Sequence, residues 1–505
     1  MFSVKKVLFI SNEANKILNS KHSSKFTHAI NSLNVIKFHN DYLISQKIFF
    51  TNVLYYSFFF IIKKIISITQ WFFKISENLI LSLIFKKNIN SLISENDIVF
   101  VSFIRNEYFD PIAKDFVYGD ILNSLKKNNI KYKILYLNLT ATNSRKITNR
   151  YKSKNLFILE NILSLKGELI LLYWQFLELK NIFVNFFLKN KISFTFFIKV
   201  AISIFSNQTK INLRIYYQFD NFFSKHKSFF GVSTFEGYAW EKLFNYSLRK
   251  NNLESKCLAY QHSGILNNQQ WLKKFKFNKF SPDHIFTCGK INSKKLIKLN
   301  KLFKYRVSVI GTSKNKNLKK KKEIESLNKK KINCLVCPEG SIQETKIIFD
   351  YIFEVFKHVN NVRFILRTHP FINIKFFFDK YMAHKTDNFS KNIILSKKKF
   401  EFDIQRSQLI LFRGSYSVIS GLLNNLIPIY YNHEKDFFNI SPIEDYKYKI
   451  FFVRNSKEFI NLINNKSLYK YFSYLKAKKY ASNFFSPYNE KLFLNYINKI
   501  QAIRF

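Results

Sequence analysis

The residues best suited to chemistry lie in loops that follow short apolar runs. One such loop is Arg413-Gly414-Ser415-Tyr416-Ser417, after the run Gln408 to Phe412 and before a helical stretch to Leu423. Gly414 lets the backbone approach a ligand closely. Ser415 or Ser417 can cap the following helix, whose N-terminus offers unpaired N–H groups and a positive dipole end to an anion. Arg413 adds a fork-shaped cation that suits phosphate or carboxylate. The ordinary alternative is a capped helix beside a surface arginine, and this loop alone does not choose between them. A second loop, Arg367-Thr368-His369-Pro370, shifts the balance. Its Arg and His, leaving a neighbouring strand, can neutralise a departing phosphate without metal. Pro370 stops the strand and fixes the turn.

Two further strand ends precede these. The run Ser228 to Phe235 leads into Glu236-Gly237, and Lys256 to Tyr260 leads into Gln261-His262-Ser263-Gly264. A carboxylate at a strand end, partly shielded by Phe235 and Trp240, suits a general base with a raised pKa. Taken singly, Glu236 reads as a helix N-terminal carboxylate and His262 as a hydrogen-bonded structural histidine. Together, facing the loops of the second half, they favour a site. Gly237, Gln261, Gly264, Glu339 and Gly340 are candidate cleft-lining residues.

Such loops need a scaffold. From about Ile332 to Asn432, short apolar runs alternate with helical periods, which implies a parallel sheet. The runs are Asn333 to Cys337, Val362 to Leu366, Gln408 to Phe412 and Ile427 to Tyr431, with a helix to about His358 after the first. Ligands of such sheets bind outside the carboxyl ends of the strands, where these loops lie. In the first half, Val4 to Ser11, Asp97 to Ser102 and Lys131 to Leu137 read as strands. Residues from about 41–90 and 155–206 are helical, rich in aromatic residues, and look like insertions upon the first domain. They form either a subdomain packed on itself or a surface lying on a membrane. The expected domains are residues 1–285, residues 286–480, and a helical tail 481–505 that crosses back.

The length of 505 residues and the hydrophobic fraction of 47% allow two sizeable cores. A formal charge of +49 invites a nucleic-acid reading. The excess is mainly Lys, however, rising with Asn, Ile and Phe as in an AT-rich genome, and no nucleic-acid module appears. The charge still favours contact with anionic membrane surfaces. Cys257, Cys288, Cys334 and Cys337 are too few and scattered for a disulfide framework. Cys334 and Cys337 have metal-like spacing but sit in an apolar strand, so buried thiols are expected and no metal. The start of the chain lacks the pattern of a signal peptide. No run of about 18 uncharged apolar residues occurs, so no membrane span and a cytoplasmic location are expected.

The set Phe235-Glu236-Gly237, Tyr260-Gln261-His262-Ser263-Gly264, Arg367-Thr368-His369-Pro370 and Arg413-Gly414-Ser415 resembles a bacterial family of surface carbohydrate biosynthesis proteins, from about Gly231 to Asn432. The family looks like glycosyltransferases of the GT-B type. The motif order is also similar to bacterial sialyltransferases and polysialyltransferases, which carry an acidic-acidic-Gly motif, then His-Pro, then a Ser motif. Phe235 here stands at the place of the first acidic residue, and Glu339-Gly340 is a second acidic-Gly pair. His262 is similar to the Gln-His-Gly element of other surface-polymer transferases. The resemblance implies an α/β, GT-B-like fold: two Rossmann-like domains facing a cleft, with helical insertions in the first.

It also implies transfer from a nucleotide-sugar donor to a glycan or lipid-linked acceptor, in capsule or O-antigen synthesis at the cytoplasmic face of the inner membrane. No Asp-x-Asp pair occurs, which fits a metal-independent, cofactor-free enzyme and a CMP-linked nonulosonic acid donor. In that reading Glu236 takes the acceptor proton and His262 lines the cleft. His369-Pro370, Arg367, Arg413, Gly414, Ser415 and Ser417 meet the nucleotide and its phosphate. A polyol-phosphate transferase using a CDP-glycerol-type donor, and a non-catalytic basic scaffold at a membrane surface, are the alternatives. A serine hydrolase lacks its Gly-x-Ser-x-Gly elbow.

Overall fold

The structure is a computed structural model. It describes residues 4–34, 73, 76–77, 80–81, 97–104, 115–140, 142–150, 156–189, 191–226, 228–314, 331–370, 372–381, 392–434, 436, 439–447, 450–465 and 472–502. Strands form where branched and aromatic apolar residues predominate. Ile98–Ile104 (β1), Tyr132–Asn138 (β2), Leu156–Ile158 (β3), Phe230–Thr234 (β4), Lys256–Gln261 (β5), His284–Thr287 (β6) and Val307–Val309 (β7) make one sheet. Ile332–Cys337 (β8), Val362–Leu366 (β9), Ile393–Leu395 (β10), Leu409–Phe412 (β11), Ile427–Tyr431 (β12) and Phe451–Val453 (β13) make another. The orders are β3-β2-β1-β4-β5-β6-β7 and β10-β9-β8-β11-β12-β13, and the pairings are parallel. Every residue of β1, β4, β11 and β12 is buried. That is why these strands read as continuous apolar runs rather than alternating ones.

Both sheets are wound in two directions from a central strand. The winding reverses between β1 and β4 in the first sheet and between β8 and β11 in the second. These are the crevices where α/β proteins of this class hold ligands. The chain therefore comprises two Rossmann-like domains, with helices inserted in the first.

Three expectations need correction. Val4 to Ser11 is not a strand but the start of the helix Val4–Leu18. Its buried residues Ile10, Ala14, Ile17 and Leu18 recur at helical spacing. They pack with Ile182, Phe186, Phe196, Val200 and Ile204 in a separate cluster. A β-branched, apolar beginning was outweighed by the period of the longer segment. Second, β6 and β7 complete the first sheet, so the boundary expected after residue 285 falls inside it. Third, the segment 155–206 is not wholly helical, since it opens with the edge strand β3 before the helices Leu165–Ile182 and Phe194–Ile204. The segment 41–90 lies outside the described residues apart from 73, 76, 77, 80 and 81.

The tail returns to the first domain. Ser486 donates its N–H to the Cys288 carbonyl at 2.9 Å, and Thr312 donates to the Ser486 carbonyl at 2.8 Å. Beyond them the helix Glu490–Ala502 lays Phe493 on Phe286 and Tyr496 on His284.

Candidate functional site

In the first domain the crevice beside β4 is closed by Phe235-Glu236-Gly237. This loop is shaped by a residue not singled out in the sequence, Glu241. From the first turn of the helix Ala239–Asn251 its carboxylate reaches back and accepts the Thr234 hydroxyl and the N–H groups of Glu236 (2.9 Å), Gly237 (2.7 Å) and Tyr238 (3.0 Å). Donors that a helix start leaves unpaired are thereby satisfied. Burial pushes the Glu241 carboxyl up to about 8, against the pull of those hydrogen bonds. Gly237 is at φ +86, and a Cβ there would stand 2.8 Å from the Trp271 ring. Only glycine meets both conditions at no cost. Phe235 turns away into an apolar cluster with Ile265 and Leu272, its ring 5.1 Å from that of Trp271.

Glu236 is buried, and its Oε1 accepts the Ser263 hydroxyl at 2.6 Å. His262, on the next strand end, brings Nε2 to 3.8 Å from the same oxygen. Lys314 donates its ammonium to the His262 carbonyl at 2.7 Å and lies over the Phe485 ring. Enclosure of that ammonium lowers the Lys314 pKa, and the charge of Glu236 works to raise it. A carboxylate, an imidazole and an ammonium thus share one strand-end surface. Gln261, the last residue of β5, is buried and directs its Oε1 toward Cys288 Sγ at 3.6 Å.

In the second domain the crevice lies between the ends of β8 and β11. Glu339 follows β8 and rests on Gly414, where a Cβ would stand 2.5 Å from Glu339 Oε2. Gly340 carries the His369 ring in the same way, with Nδ1 3.3 Å from a Cβ placed there. Pro370 is exposed beside it. Ser415 Oγ accepts the Ser417 N–H at 3.4 Å, while Tyr416, the residue at the helix boundary, makes no side-chain cap. Glu339, Gly340, His369, Gly414 and Ser415 therefore do converge.

The two arginines do not join them. Arg413 is fully buried and is held by Glu344 (Nε to Oε2, 2.6 Å) and Asp436 (Nη2 to Oδ1, 2.8 Å). Burial lowers its pKa, but the two carboxylates reverse the direction and raise it. Its charge is already neutralised, so it anchors the loop rather than facing a phosphate. Arg367 turns to the buried Asp403, the Ser396 hydroxyl and the Lys398 carbonyl. Sequence spacing places an arginine at a strand end, but its partner comes from a helix far along the chain.

The two domains meet at Tyr416. A Cβ on Gly264 of the first domain would stand 1.9 Å from Tyr416 Cε1 of the second. Burial raises the Tyr416 phenol well above its ordinary value, and Glu339 and Glu236 push the same way. The phenol therefore feels the carboxylates of both crevices.

No family model matches the sequence, and no curated protein matches it. Solved structures of similar shape include three of note. A Listeria monocytogenes protein assigned as a UDP-N-acetylglucosamine 2-epimerase has 11% identity and a TM-score of 0.47, over 82% of this chain and 97% of that one. A Methanocaldococcus jannaschii UDP-GlcNAc 2-epimerase in complex with UDP-GlcNAc and UDP has 13% identity and a TM-score of 0.44, over 79% and 99%. A Burkholderia multivorans trehalose 6-phosphate synthase has 8% identity and a TM-score of 0.44, over 81% and 100%. The fold is GT-B-like. The two strand orders and the facing crevices carry that conclusion without these neighbours, whose superposition is too loose to bear on chemistry.

Three contributors were missed in the sequence. Glu241 had a signal, a carboxylate in the first turn of a helix after a glycine loop. Tyr416 had none beyond its place in the Ser motif. Lys314 was hidden at the edge of a lysine-rich run.

Proposed function

We propose that the protein is a glycosyltransferase that uses a nucleotide-activated sugar. The observation that supports it most is the meeting of two strand-end surfaces around Tyr416. One carries Glu236, His262 and Lys314; the other carries Glu339, His369 and Ser415. Glu236 takes the acceptor proton, with the Ser263 hydroxyl and His262 fixing its orientation. His369 and the backbone of the Ser415 loop meet the departing phosphate. Glu339, an acceptor-only group above Gly414, suits hydroxyls of the nucleotide ribose rather than its phosphate. A CMP-linked nonulosonic acid donor asks for little charge neutralisation, in keeping with two arginines already committed to carboxylates. The role is in surface polysaccharide synthesis, on a glycan or lipid-linked acceptor.

Among the described residues no helix is long and apolar enough to cross a membrane. The helix Leu165–Ile182 and the turn beyond it nevertheless expose Leu165, Leu169, Leu172, Tyr173, Phe176 and Phe183 on one face. The acids of this helix, Glu168 and Glu178, are buried, whereas Lys166 and Lys180 are exposed. An apolar stripe whose exposed charges are lysines suits the surface of an anionic bilayer.

The test is calorimetric titration with CMP, CDP and UDP, followed by incubation with CMP-sugars and with CDP-glycerol while nucleotide release is measured. Binding of CMP and its release from a CMP-sugar are expected. Selective turnover of CDP-glycerol would replace this reading with a polyol-phosphate transferase. Indifference to all three nucleotides would remove the transferase altogether.

A further inference from the structure

One cavity lies outside the surfaces described so far and touches them at a single residue. It has a volume of about 50 Å³, and its wall includes His28, Lys242, Trp271, Lys274, Lys276 and Gly237. Among the described residues no carboxylate lines it. A void of this size holds a few water molecules or one small oxyanion group.

The groups around it are short of partners for positive charge and N–H. Lys242 donates its ammonium to Asn34 Oδ1 at 2.7 Å and has no carboxylate within ion-pair distance among the described residues. Enclosure lowers its pKa to about 8, against the pull of Glu241. The indole N–H of Trp271 and the Nδ1 of His28 are buried with no hydrogen-bond partner among the described residues. His28 is 4% exposed, and its other ring nitrogen already meets Ser23 Oγ at 3.2 Å. Lys274 gives its ammonium to the neutral Asn12 amide. A buried indole N–H without an acceptor, and an enclosed ammonium with no carboxylate partner among the described residues, are each costly. An oxyanion in this cavity would supply a counter-charge to Lys242 and an acceptor to the Trp271 indole, and to His28 where its Nδ1 carries the proton.

We propose that this cavity is an anion-binding subsite that receives a carboxylate or phosphate group of the acceptor. It rests on the reading of Glu236 as the base. Gly237 lines the cavity and Glu236 is its neighbour in the chain, so the cavity borders the loop that carries the base. The acceptor is accordingly an acidic glycan or a phosphate-bearing lipid glycan, and the subsite selects it.

The full-length protein is titrated with inorganic phosphate and with acetate while tryptophan fluorescence is followed, and CMP and UDP are titrated separately. Phosphate or acetate is expected to shift the emission, and the stronger of the two names the source. Lys242→Met is expected to weaken that binding by about tenfold or more, the usual loss when a charged hydrogen bond is removed. Trp271→Phe keeps a ring against Gly237 but removes the N–H, and is expected to abolish the signal and weaken binding in calorimetry. Nucleotide affinity should be unchanged in both variants, which also reports an intact fold. With acceptors, Lys242→Met should raise KM for an acidic glycan and leave a neutral one untouched. Oxyanion binding that is absent from the wild type, or equal in wild type and both variants, overturns the subsite. Loss of nucleotide binding in the wild type would instead strike the transferase reading and leave the subsite standing.

Discussion

At the scale of single residues, two side chains separate chemistry from packing. Glu236 is held by Ser263 and sits beside His262, so Glu236→Gln keeps the shape and the hydroxyl contact while removing the proton acceptor. Transfer should fall by roughly 10²–10⁴, the usual contribution of a general base, with nucleotide affinity preserved in calorimetry. If turnover persists near the wild-type rate, the base lies elsewhere, and Glu339 is next to be tried. Gly264 answers a different question. Gly264→Ala forces a methyl into the Tyr416 ring, so the domains must part or the ring must move. Overpacking of this kind costs about 1–3 kcal/mol. Activity should drop and should be partly restored in Gly264→Ala with Tyr416→Ala, since contacting residues are not additive. Strict additivity in that double-mutant cycle would mean the contact does not govern the site. The sequence pointed to Glu236 and His262 because a carboxylate and a histidine each follow a strand closely, and the structure sets them 3.8 Å apart. It could not disclose Tyr416, since nothing local shows what a tyrosine touches in another domain.

At the scale of elements, the legible part was the parallel scaffold. Strands β8, β9, β11 and β12 were readable because burial on both faces leaves short apolar runs, broken only by Asn333 in β8 and Arg363 in β9. The first helix was not readable from its opening residues, which are apolar and branched; only Ala14, Ile17 and Leu18 further on reveal the helical period. Arg413 was misjudged for a related reason. Its type and place suggested phosphate, but Glu344 sits one turn into the helix after β8 and Asp436 lies beyond β12. The consequence is measurable. Arg413→Met removes the cation that two buried carboxylates share, and breaking a buried pair costs about 3–5 kcal/mol. Denaturant unfolding should show that loss, while nucleotide affinity of the folded fraction stays close to wild type. A phosphate ligand would behave in the opposite way. The exposed stripe on Leu165–Ile182 makes its own prediction. Wild-type protein should sediment with vesicles containing phosphatidylglycerol, less so in high salt, and weakly with phosphatidylcholine alone. Leu169→Glu with Phe176→Glu should abolish this without altering nucleotide binding. Unchanged sedimentation, or a concentration-dependent dimer that the same pair of substitutions disrupts, would assign the stripe to another purpose.

At the scale of the whole molecule, the two domains are joined by a polar clamp as well as by Tyr416. Lys295, buried on the helix Lys290–Leu299, gives its ammonium to the Ile265 carbonyl (2.7 Å), Glu444 Oε1 (2.9 Å) and Asp445 Oδ2 (2.5 Å). Asn267 adds its N–H to Glu444 and its amide to Asp445. Burial works to raise the Asp445 carboxyl, but Lys295 and Asn267 outweigh it and hold it below its ordinary value. If the domains part, this carboxyl meets water and titrates normally. Closure therefore gains stability that is complete above the ordinary carboxylate range and is lost as pH falls through the lowered value. Lys295→Met removes the cation and leaves two acids facing each other. The cost is about 2 kcal/mol, less than for a fully enclosed pair because Asp445 is 27% exposed. Small-angle scattering should show a larger radius of gyration at neutral pH for Lys295→Met, together with faster nucleotide release. Adding Glu444→Gln and Asp445→Asn should bring the radius back, since no charge is then left unpaired. The wild type should open in the same way on acidification, and Lys295→Met should respond far less over that range. Scattering curves that coincide for wild type and variant at every pH would show that the domains are held together elsewhere, by contacts such as Tyr416 against Gly264 and the returning tail.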